Sequence, residues 1–289
     1  MSRTFEYLRG PFILIVLIVI SRYLFPSKMT FLVEITTFSI YIIANDILYG
    51  YMGMVSFGQP FYLGVGAYTA AIYLAHIGNN PLIAIALALL AGLLAGIILG
   101  PAYIRLRGDY FALINAASCG LGLFLVEKTF LAFTRGDDGL WYRSRMQATP
   151  FLDLRKPNEF FWFAMIILFL VLVWYTWLNR STLGASFRAI KVNESKMKFL
   201  GYNTFVIRWT GFTLNCILAA LAGAMFAVNY GFVNPSITAP DRAAEVLVAT
   251  LLGGPGSIYG PFFGTVAFIG LRDVVSSFVS RWELAMGIL

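Results

Sequence analysis

The residues of this chain that could perform chemistry are few and scattered. There is one histidine, His76, and the two cysteines, Cys119 and Cys216, lie in apolar segments at no spacing that suits a metal site. The sequence contains no GxxxxGK[ST] stretch to cradle a nucleotide phosphate and no HExxH stretch. We therefore predict no catalytic residues, no metal ligands and no cofactor bound by this chain. An integral-membrane enzyme is disfavoured, because no cluster of polar residues could do the chemistry.

Composition indicates the class of protein that must position these residues. Of the 289 residues 59% are hydrophobic and only 12% are charged, and the mean hydropathy of +0.78 is far above that of a soluble domain. The net charge of +7 would suggest nucleic acid in a soluble chain. Here, however, the basic residues flank apolar runs, so we predict a polytopic all-α membrane protein in contact with lipid, and no nucleic-acid partner.

The apolar runs predict about eight to ten transmembrane helices, some of them broken or half-length, in a single transmembrane domain over residues 1–289. The predicted runs are 12–25, 31–49, a third ending near residue 74, 81–103, 110–133, 160–178, 206–230, a half-helix at 243–252, and 262–279. The first run lacks a small-residue cleavage site, so we expect a retained span. We expect a last run, starting at Trp282, to be cut short at Leu289. Gly92, Gly96 and Gly100 share one helix face and predict close helix packing.

A polar segment between two apolar runs, residues 180–208, predicts a short helix that does not cross the membrane. At 3.6 residues per turn, one face holds Phe187, Ile190, Met197 and Leu200, and the other holds Arg188, Lys191, Lys196 and Lys198. Gly201 suits a helix C-cap. Such a helix either lies on lipid headgroups or docks on a soluble partner, and both alternatives are open at this point.

The distribution of basic residues favours a cytoplasmic amino terminus. That orientation places Arg3, Arg9, Arg105, Arg107 and the six basic residues of 180–208 inside. The opposite side of the membrane then carries seven basic residues, namely Arg22, Lys28, Arg135, Arg143, Arg145, Arg155 and Lys156. The polar segment would thus face the cytoplasm.

Two glycine-rich interruptions, in opposite halves of the chain, are the candidate translocation pathway. Paired interruptions of this kind point to a pathway between related halves, although tight helix packing explains them equally well. The candidate residues are Asn45, Gly53, Ser56, Gly58, Gly64 and Gly66 in the first half, and Gly253, Gly254 and Gly256 in the second. Glu245 precedes the second interruption and is the ionisable residue that most suggests function.

Six ordered motifs carry a family resemblance across nearly the whole chain. They are the run 45–71, LRGDYFALI at 106–114, T-x-G-x-x-G-L at 134–140, RSTLGASFRAIKVNE at 180–194, GFVNPS at 231–236 and LLGGPGSIYGPFFG at 251–264. With them the chain resembles the permeases of branched-chain amino acid ABC transporters, in particular the M-type subunit.

The resemblance implies a vitamin-B12-importer-like (type II) permease fold in the inner membrane. It implies a heterodimer with a homologous second permease, two cytoplasmic ATPase subunits that bind ATP and Mg²⁺, and an extracytoplasmic substrate-binding protein. Residues 180–205 would hold the coupling helix that sits on the ATPase, with its apolar face in the groove. The contacts expected there are Gly184, Phe187, Arg188, Ala189, Ile190, Asn193, Glu194 and Gly201. Ile190→Asp is then expected to abolish uptake without unfolding the subunit.

The substrate and the energy source stay open. The stretch Ser118-Cys119-Gly120 and residues Met197 and Lys198 depart from the family pattern, and relatives of this scaffold carry urea, short amides or aromatic acids as well as apolar amino acids. A gradient-driven transporter or channel is the alternative class. It calls for several buried acidic residues, of which only Asp46 and Glu245 are candidates.

Overall fold

A computed structural model describes residues 2–24, 28–106, 108–149 and 152–278. The helices are α1 Ser2–Leu24, α2 Met29–Asp46, α3 Gln59–Ile72, α4 Pro81–Tyr103, α5 Asp109–Phe124, α6 Leu131–Thr134, α7 Pro157–Arg180, α8 Thr182–Phe199, α9 Thr204–Tyr230, α10 Arg242–Gly253 and α11 Gly260–Phe278. Single π-helical turns extend α2, α3 and α5 over Ile47–Tyr51, Tyr73–Ile77 and Leu125–Thr129, and 3₁₀ turns cover Gly136–Asp138 and Pro235–Thr238.

Five helices of the described residues are long and apolar enough to cross a membrane. They are Met29–Tyr51, Pro81–Tyr103, Asp109–Thr129, Pro157–Arg180 and Thr204–Tyr230. The all-α polytopic class is therefore confirmed, and the protein is a multi-pass membrane protein. The full count of eight to ten spans stays a prediction, and the apolar run from Trp282 lies outside the described residues.

Helix α9 is the centre of the bundle, and glycines let its neighbours approach. A Cβ atom on Gly92 of α4 would lie 2.6 Å from the Cβ of Ala220, and one on Gly223 of α9 would lie 2.0 Å from the carbonyl oxygen of Leu63 in α3. Trp209 donates its indole N–H to the carbonyl oxygen of Gly96 at 3.1 Å. The predicted packing face of α4 is thus confirmed, since small residues there leave room for another backbone.

Helices α10 and α11 form a tight hairpin. Helix α10 has 12 residues and spans about 18 Å, well short of the roughly 30 Å hydrocarbon core. A Cβ on Gly264 would lie 2.1 Å from the carbonyl oxygen of Ala249, so the two helices touch through their backbones. The half-helix expected at 243–252 is therefore present.

The loop between α5 and α7 carries a strand pair that the sequence analysis did not predict. Strand β1, Leu140–Trp141, pairs antiparallel with β2, Phe232–Val233, which follows α9. The Tyr142 hydroxyl donates to the carbonyl oxygen of Ala227 at 2.7 Å. These contacts fasten the loop to the end of α9 that is remote from α8.

Candidate functional site

The first glycine-rich interruption begins where α2 loses its regular hydrogen bonding. After Asp46 the chain makes the π-helical turn, and Gly53 then adopts a φ of 69°, which side chains other than glycine rarely allow. The N–H of Met54 still bonds to the carbonyl oxygen of Leu48 at 2.9 Å, after which the chain is irregular until α3 begins at Gln59. Single π-helical turns often mark functional sites.

The second interruption folds onto the first. Gly256, with a φ of 82°, donates its N–H to the Asp46 carboxylate at 2.8 Å, and the other oxygen of that carboxylate accepts from the Tyr175 hydroxyl. A Cβ on Gly256 would lie 3.0 Å from the carbonyl oxygen of Gly50. The tertiary structure thus brings together two breaks that lie about 200 positions apart, with Asp46 as the group that joins them.

Next to this junction lies a fully buried cluster of neutral polar side chains. Asn45 donates to Thr250 at 2.8 Å, and Gln59 donates to Asn45 at 3.1 Å and to Asn215 at 2.8 Å. Within the described chain, Gln59 Oε1, Asn215 Nδ2 and the hydroxyl of Ser56 have no partner. An unmet buried polar atom costs about 1–3 kcal/mol, so these three atoms favour a polar neighbour.

The predicted pathway residues divide into two groups. Asn45, Gly53, Ser56, Gly254 and Gly256 lie at the two breaks or in the polar cluster. The other four glycines lie at close contacts, where an added Cβ atom would come within 2.7 Å of a neighbouring residue. The pairs are Gly58 with Asn115 at 2.7 Å, Gly64 with Thr238 at 2.1 Å, Gly66 with Ala220 at 2.0 Å and Gly253 with Gly260 at 2.0 Å. For these four, the packing alternative accounts for the glycine.

Glu245 does not lie at the second break. It sits two turns earlier on α10, in a pocket that it shares with Glu34, Arg242 and Arg272, near the end of α9 at Tyr230. This position before the second break agrees with the sequence, and the pathway role of Glu245 stays a prediction.

The polar segment is helical, with two features that its periodicity did not reveal. Ser181 caps the start of α8 by accepting from the N–H of Gly184 at 3.1 Å, and Gly201 ends it with a φ of 83°, as predicted. Asn193, however, has non-helical angles, φ −162° and ψ 96°, so a kink divides α8. The prediction of one continuous helix is corrected at this residue.

The prediction that the apolar face of α8 meets a partner is also corrected. Gly184, Phe187, Ile190 and Met197 are buried within this chain, with Phe187 packed beside Gly211 and Met52. Leu200 follows the end of the helix and is 73% exposed, not part of that face. The apolar side chains that do face outward are Val192 and Phe199, 85% and 93% exposed, together with Leu200.

Two basic residues predicted to stay in solvent reach back to the first break. The ammonium of Lys191 donates to the carbonyl oxygen of Gly50 at 2.8 Å. The guanidinium of Arg188 lies 5.7 Å from the centre of the Tyr51 ring, and the same guanidinium donates to Asn179. The first part of α8 is therefore fastened to the π-helical turn.

The second part of α8 is fastened to α9 through Glu194. Its carboxylate accepts from Thr204 at 3.1 Å and lies 3.3 Å from Lys198 and 3.9 Å from the buried Arg208. Of the residues predicted for the ATPase contact, Arg188, Asn193 and Gly201 are exposed, whereas Ala189 and Glu194 are half-buried.

Sequence reasoning missed Gln59, Asn215, Thr250, Tyr175 and the contact of Lys191. The amides of Gln59 and Asn215 in otherwise apolar stretches were a usable signal, because polar groups at membrane depth are costly without partners. Nothing in the sequence pairs Tyr175 with Asp46, since 129 positions separate them.

Comparisons with known proteins identify the family of the chain. Residues 28–289 match the family described as branched-chain amino acid transport system / permease component. The high-affinity branched-chain amino acid transport system permease protein LivM of Salmonella typhimurium is 27% identical over 285 residues, which cover 88% of this chain and 66% of that protein. BraD of Pseudomonas aeruginosa, of the same description, is 26% identical over 254 residues, 79% of this chain and 78% of BraD.

A third relative has a different stated role. The autoinducer 2 import system permease protein LsrC of Yersinia pseudotuberculosis is 32% identical over 194 residues, 65% of this chain and 53% of LsrC. No solved structure gave a significant match. Because the family match extends over almost the whole chain, the resemblance drawn from the six motifs is confirmed, and the chain belongs to the family of branched-chain amino acid transport system permease components.

Proposed function

We propose that this chain is the transmembrane subunit of an ATP-binding-cassette importer for apolar amino acids. Residues 1–289 form one permease domain of the inner membrane with a cytoplasmic amino terminus. It pairs with a homologous second permease, with two cytoplasmic ATPases that hold ATP and Mg²⁺, and with an extracytoplasmic substrate-binding protein. The chain itself performs no catalysis.

The observation that carries this proposal is the attachment of a solvent-facing segment to the helix breaks. Helix α8 and the residue after it present exposed Val192, Phe199 and Leu200, and α8 also exposes Arg188 and Asn193, which suits docking on a soluble protein. Lys191 of the same helix donates a hydrogen bond to Gly50 in the π-helical turn. A displacement of α8 is thereby transmitted to the junction of the two breaks.

The mechanism follows from that connection. Closure of the ATPases on ATP moves α8, Lys191 carries the movement to Gly50, and the bond between Asp46 and Gly256 links it to α10. The glycines at both breaks allow the backbone to rotate there without a side-chain clash. Alternating access is the result, with the buried amide cluster on one side of the moving junction and α8 on the other.

Uptake into proteoliposomes tests the proposal. The co-expressed complex is reconstituted with ATP inside and binding protein outside, and radiolabelled leucine is supplied with unlabelled urea or benzoate as competitor. We expect ATP-dependent leucine uptake that resists both competitors. Uptake that runs without ATP and follows an imposed ion gradient would show a secondary transporter instead, and displacement by urea or benzoate would reassign the substrate.

A further inference from the structure

A basic cavity lies where α4 and α8 end and α9 begins. Its cavity volume is about 280 Å³, and its charged lining residues are Arg105, Lys198, Arg208 and Glu194. One water molecule needs about 10–15 Å³ on this scale, so the cavity has room for about twenty water-sized groups. A phosphate ester with a polar head fits into that space.

The cavity carries an excess of positive charge. Within the described residues its lining contributes three cations and one carboxylate, that of Glu194. This carboxylate lies 3.3 Å from Lys198 and 3.9 Å from Arg208, and among the same residues it makes no ion pair with Arg105. The buried Arg208 also donates to the carbonyl oxygen of Leu106 at 2.9 Å, which fixes the position of its guanidinium. Three positive charges against one negative charge favour an anionic ligand.

The cavity lies at the depth of the membrane surface. The span of α4 ends at Tyr103 and the span of α9 begins at Thr204, so both helices leave the hydrocarbon core here. Tyr202 lines the cavity, and Trp209 lies in the second turn of α9. Tyrosine and tryptophan are frequent at the level of the lipid headgroups. The phosphate groups of a bilayer are therefore within reach of the three cations.

An apolar groove of about 400 Å³ continues from the cavity into the membrane. Ile97 lines the groove, and Ile104, seven residues later on the same side of α4, lines the cavity. On α9 the ring of Phe205, in the cavity, lies 6.3 Å from the ring of Trp209, in the groove. From Trp209 to Ile217 the groove extends about 12 Å, which is within one leaflet of a hydrocarbon core roughly 30 Å thick. A space for a headgroup and a space for a chain thus adjoin along the same two helices.

From this arrangement we propose that the cavity and the groove together bind one anionic phospholipid. Its phosphate lies among Arg105, Lys198 and Arg208, and one acyl chain lies in the groove against Trp209. A basic cavity alone accepts any small anion and an apolar groove alone accepts any chain, whereas the two in line select a molecule that has both parts. The phosphate joins the second part of α8 to the end of α4, whichever substrate the chain carries.

Photo-crosslinking tests the site. The co-expressed complex is placed in phosphatidylcholine nanodiscs that contain a small fraction of phosphatidylglycerol with a diazirine in its acyl chain, and labelled peptides are mapped by mass spectrometry. Phosphatidylcholine with the same photoreactive chain is the comparison lipid. We expect phosphatidylglycerol to label residues 209–217 about tenfold more strongly or better, since each lysine or arginine beside an anionic lipid contributes about fivefold.

Two variants test the basic cavity. Arg105→Gln and Lys198→Gln should each lower phosphatidylglycerol labelling about fivefold and leave phosphatidylcholine labelling unchanged. Both side chains are exposed, so the fold should tolerate either change. Lys196→Gln is the matched control, because Lys196 is exposed on α8 but does not line the cavity, and it should label as the unchanged chain does.

Two variants test the groove. Ile97→Trp fills it and should lose most of the phosphatidylglycerol labelling at residues 209–217. Ile98→Trp, at the next position of α4, is the control, since Ile98 is 68% exposed and lies outside the groove. Its labelling should match that of the unchanged chain.

The outcomes decide between a lipid and other occupants. Equal labelling by the two lipids, or unchanged labelling in both charge variants, overturns the site. Displacement of phosphatidylglycerol by glycerol 3-phosphate at the same concentration does so too, because the headgroup would then bind without the groove. Charge variants that keep the lipid labelling but lose the ATPase subunits on purification would assign the cavity to docking of the ATPase. None of these results depends on leucine transport.

Discussion

Lys191 of α8 donates a hydrogen bond from its ammonium to the carbonyl oxygen of Gly50 at 2.8 Å, across 141 positions of sequence. Gly50 lies in the π-helical turn that ends α2, and its backbone faces Gly256 of the second break. This one contact therefore joins the solvent-facing segment to both interruptions. A bond between an ammonium and a backbone carbonyl is charge-assisted, and it is stronger than a neutral one.

Replacing Lys191 by methionine is expected to uncouple transport from ATP hydrolysis. Methionine keeps much of the side-chain length and apolar surface but cannot donate to Gly50, so movement of α8 no longer pulls on the break. We expect leucine uptake per ATP hydrolysed to fall about tenfold, in line with the loss of a charge-assisted bond. Lys196→Met, at an exposed position of α8, is the matched control. Unchanged coupling in the Lys191 variant would refute this link.

Gly256→Ala should destabilise the junction of the two breaks. Its φ of 82° is strained for alanine, and the added Cβ would lie 3.0 Å from the carbonyl oxygen of Gly50. We expect a loss of about 1–3 kcal/mol, seen as a lower apparent Tm in detergent.

Gly270→Ala is the control for that substitution. Gly270 lies inside α11, and a Cβ there meets nothing within 4 Å. Alanine in a helix interior gains up to about 1 kcal/mol over glycine, so the apparent Tm should hold or rise. If both variants lower it equally, the strain argument at Gly256 is wrong.

Gly223→Ala should disrupt the contact of α9 with α3. The new Cβ would lie 2.0 Å from the carbonyl oxygen of Leu63, and a backbone atom cannot move aside as a side-chain end can. Overpacking costs about 1–3 kcal/mol or more, so we expect less folded protein by size-exclusion chromatography. Gly120→Ala in α5, where a Cβ meets nothing within 4 Å, should elute like the unchanged chain.

Phe199→Asp is expected to weaken co-purification of the ATPase subunits without unfolding the permease. The side chain is 93% exposed, so the stability of this chain should change by no more than about 0.5 kcal/mol. A charge in an apolar docking surface, by contrast, opposes association. Retention of the ATPase at normal yield would place the docking surface elsewhere.

The structure reverses the outcome expected for Ile190→Asp. Ile190 is buried against this chain, so a carboxylate there is expected to cost about 3 kcal/mol or more of the permease's own stability. We expect poor insertion or a low apparent Tm. A folded, fully inserted Ile190→Asp subunit would instead favour the original interpretation of that face.

The membrane class and most helices could be predicted from local sequence, because long apolar runs have few alternatives to spanning a bilayer. The predicted span 81–103 matches α4 at both ends, and Gly201 ends the polar segment as predicted. Capping and hydrophobicity are local properties, so a single sequence is sufficient to reveal them. The six motifs likewise sufficed for the family.

Which side chains come into contact depends on how the whole chain packs. Asp46 with Gly256 and Tyr175, Gln59 with Asn215, and Lys191 with Gly50 are contacts between distant positions, and helix periodicity carries no information about such pairs. For the same reason the apolar face of α8 could be assigned to a partner, when Phe187 in fact packs beside Gly211. A periodic pattern shows that a face is buried, and the packing of the whole chain determines what buries it.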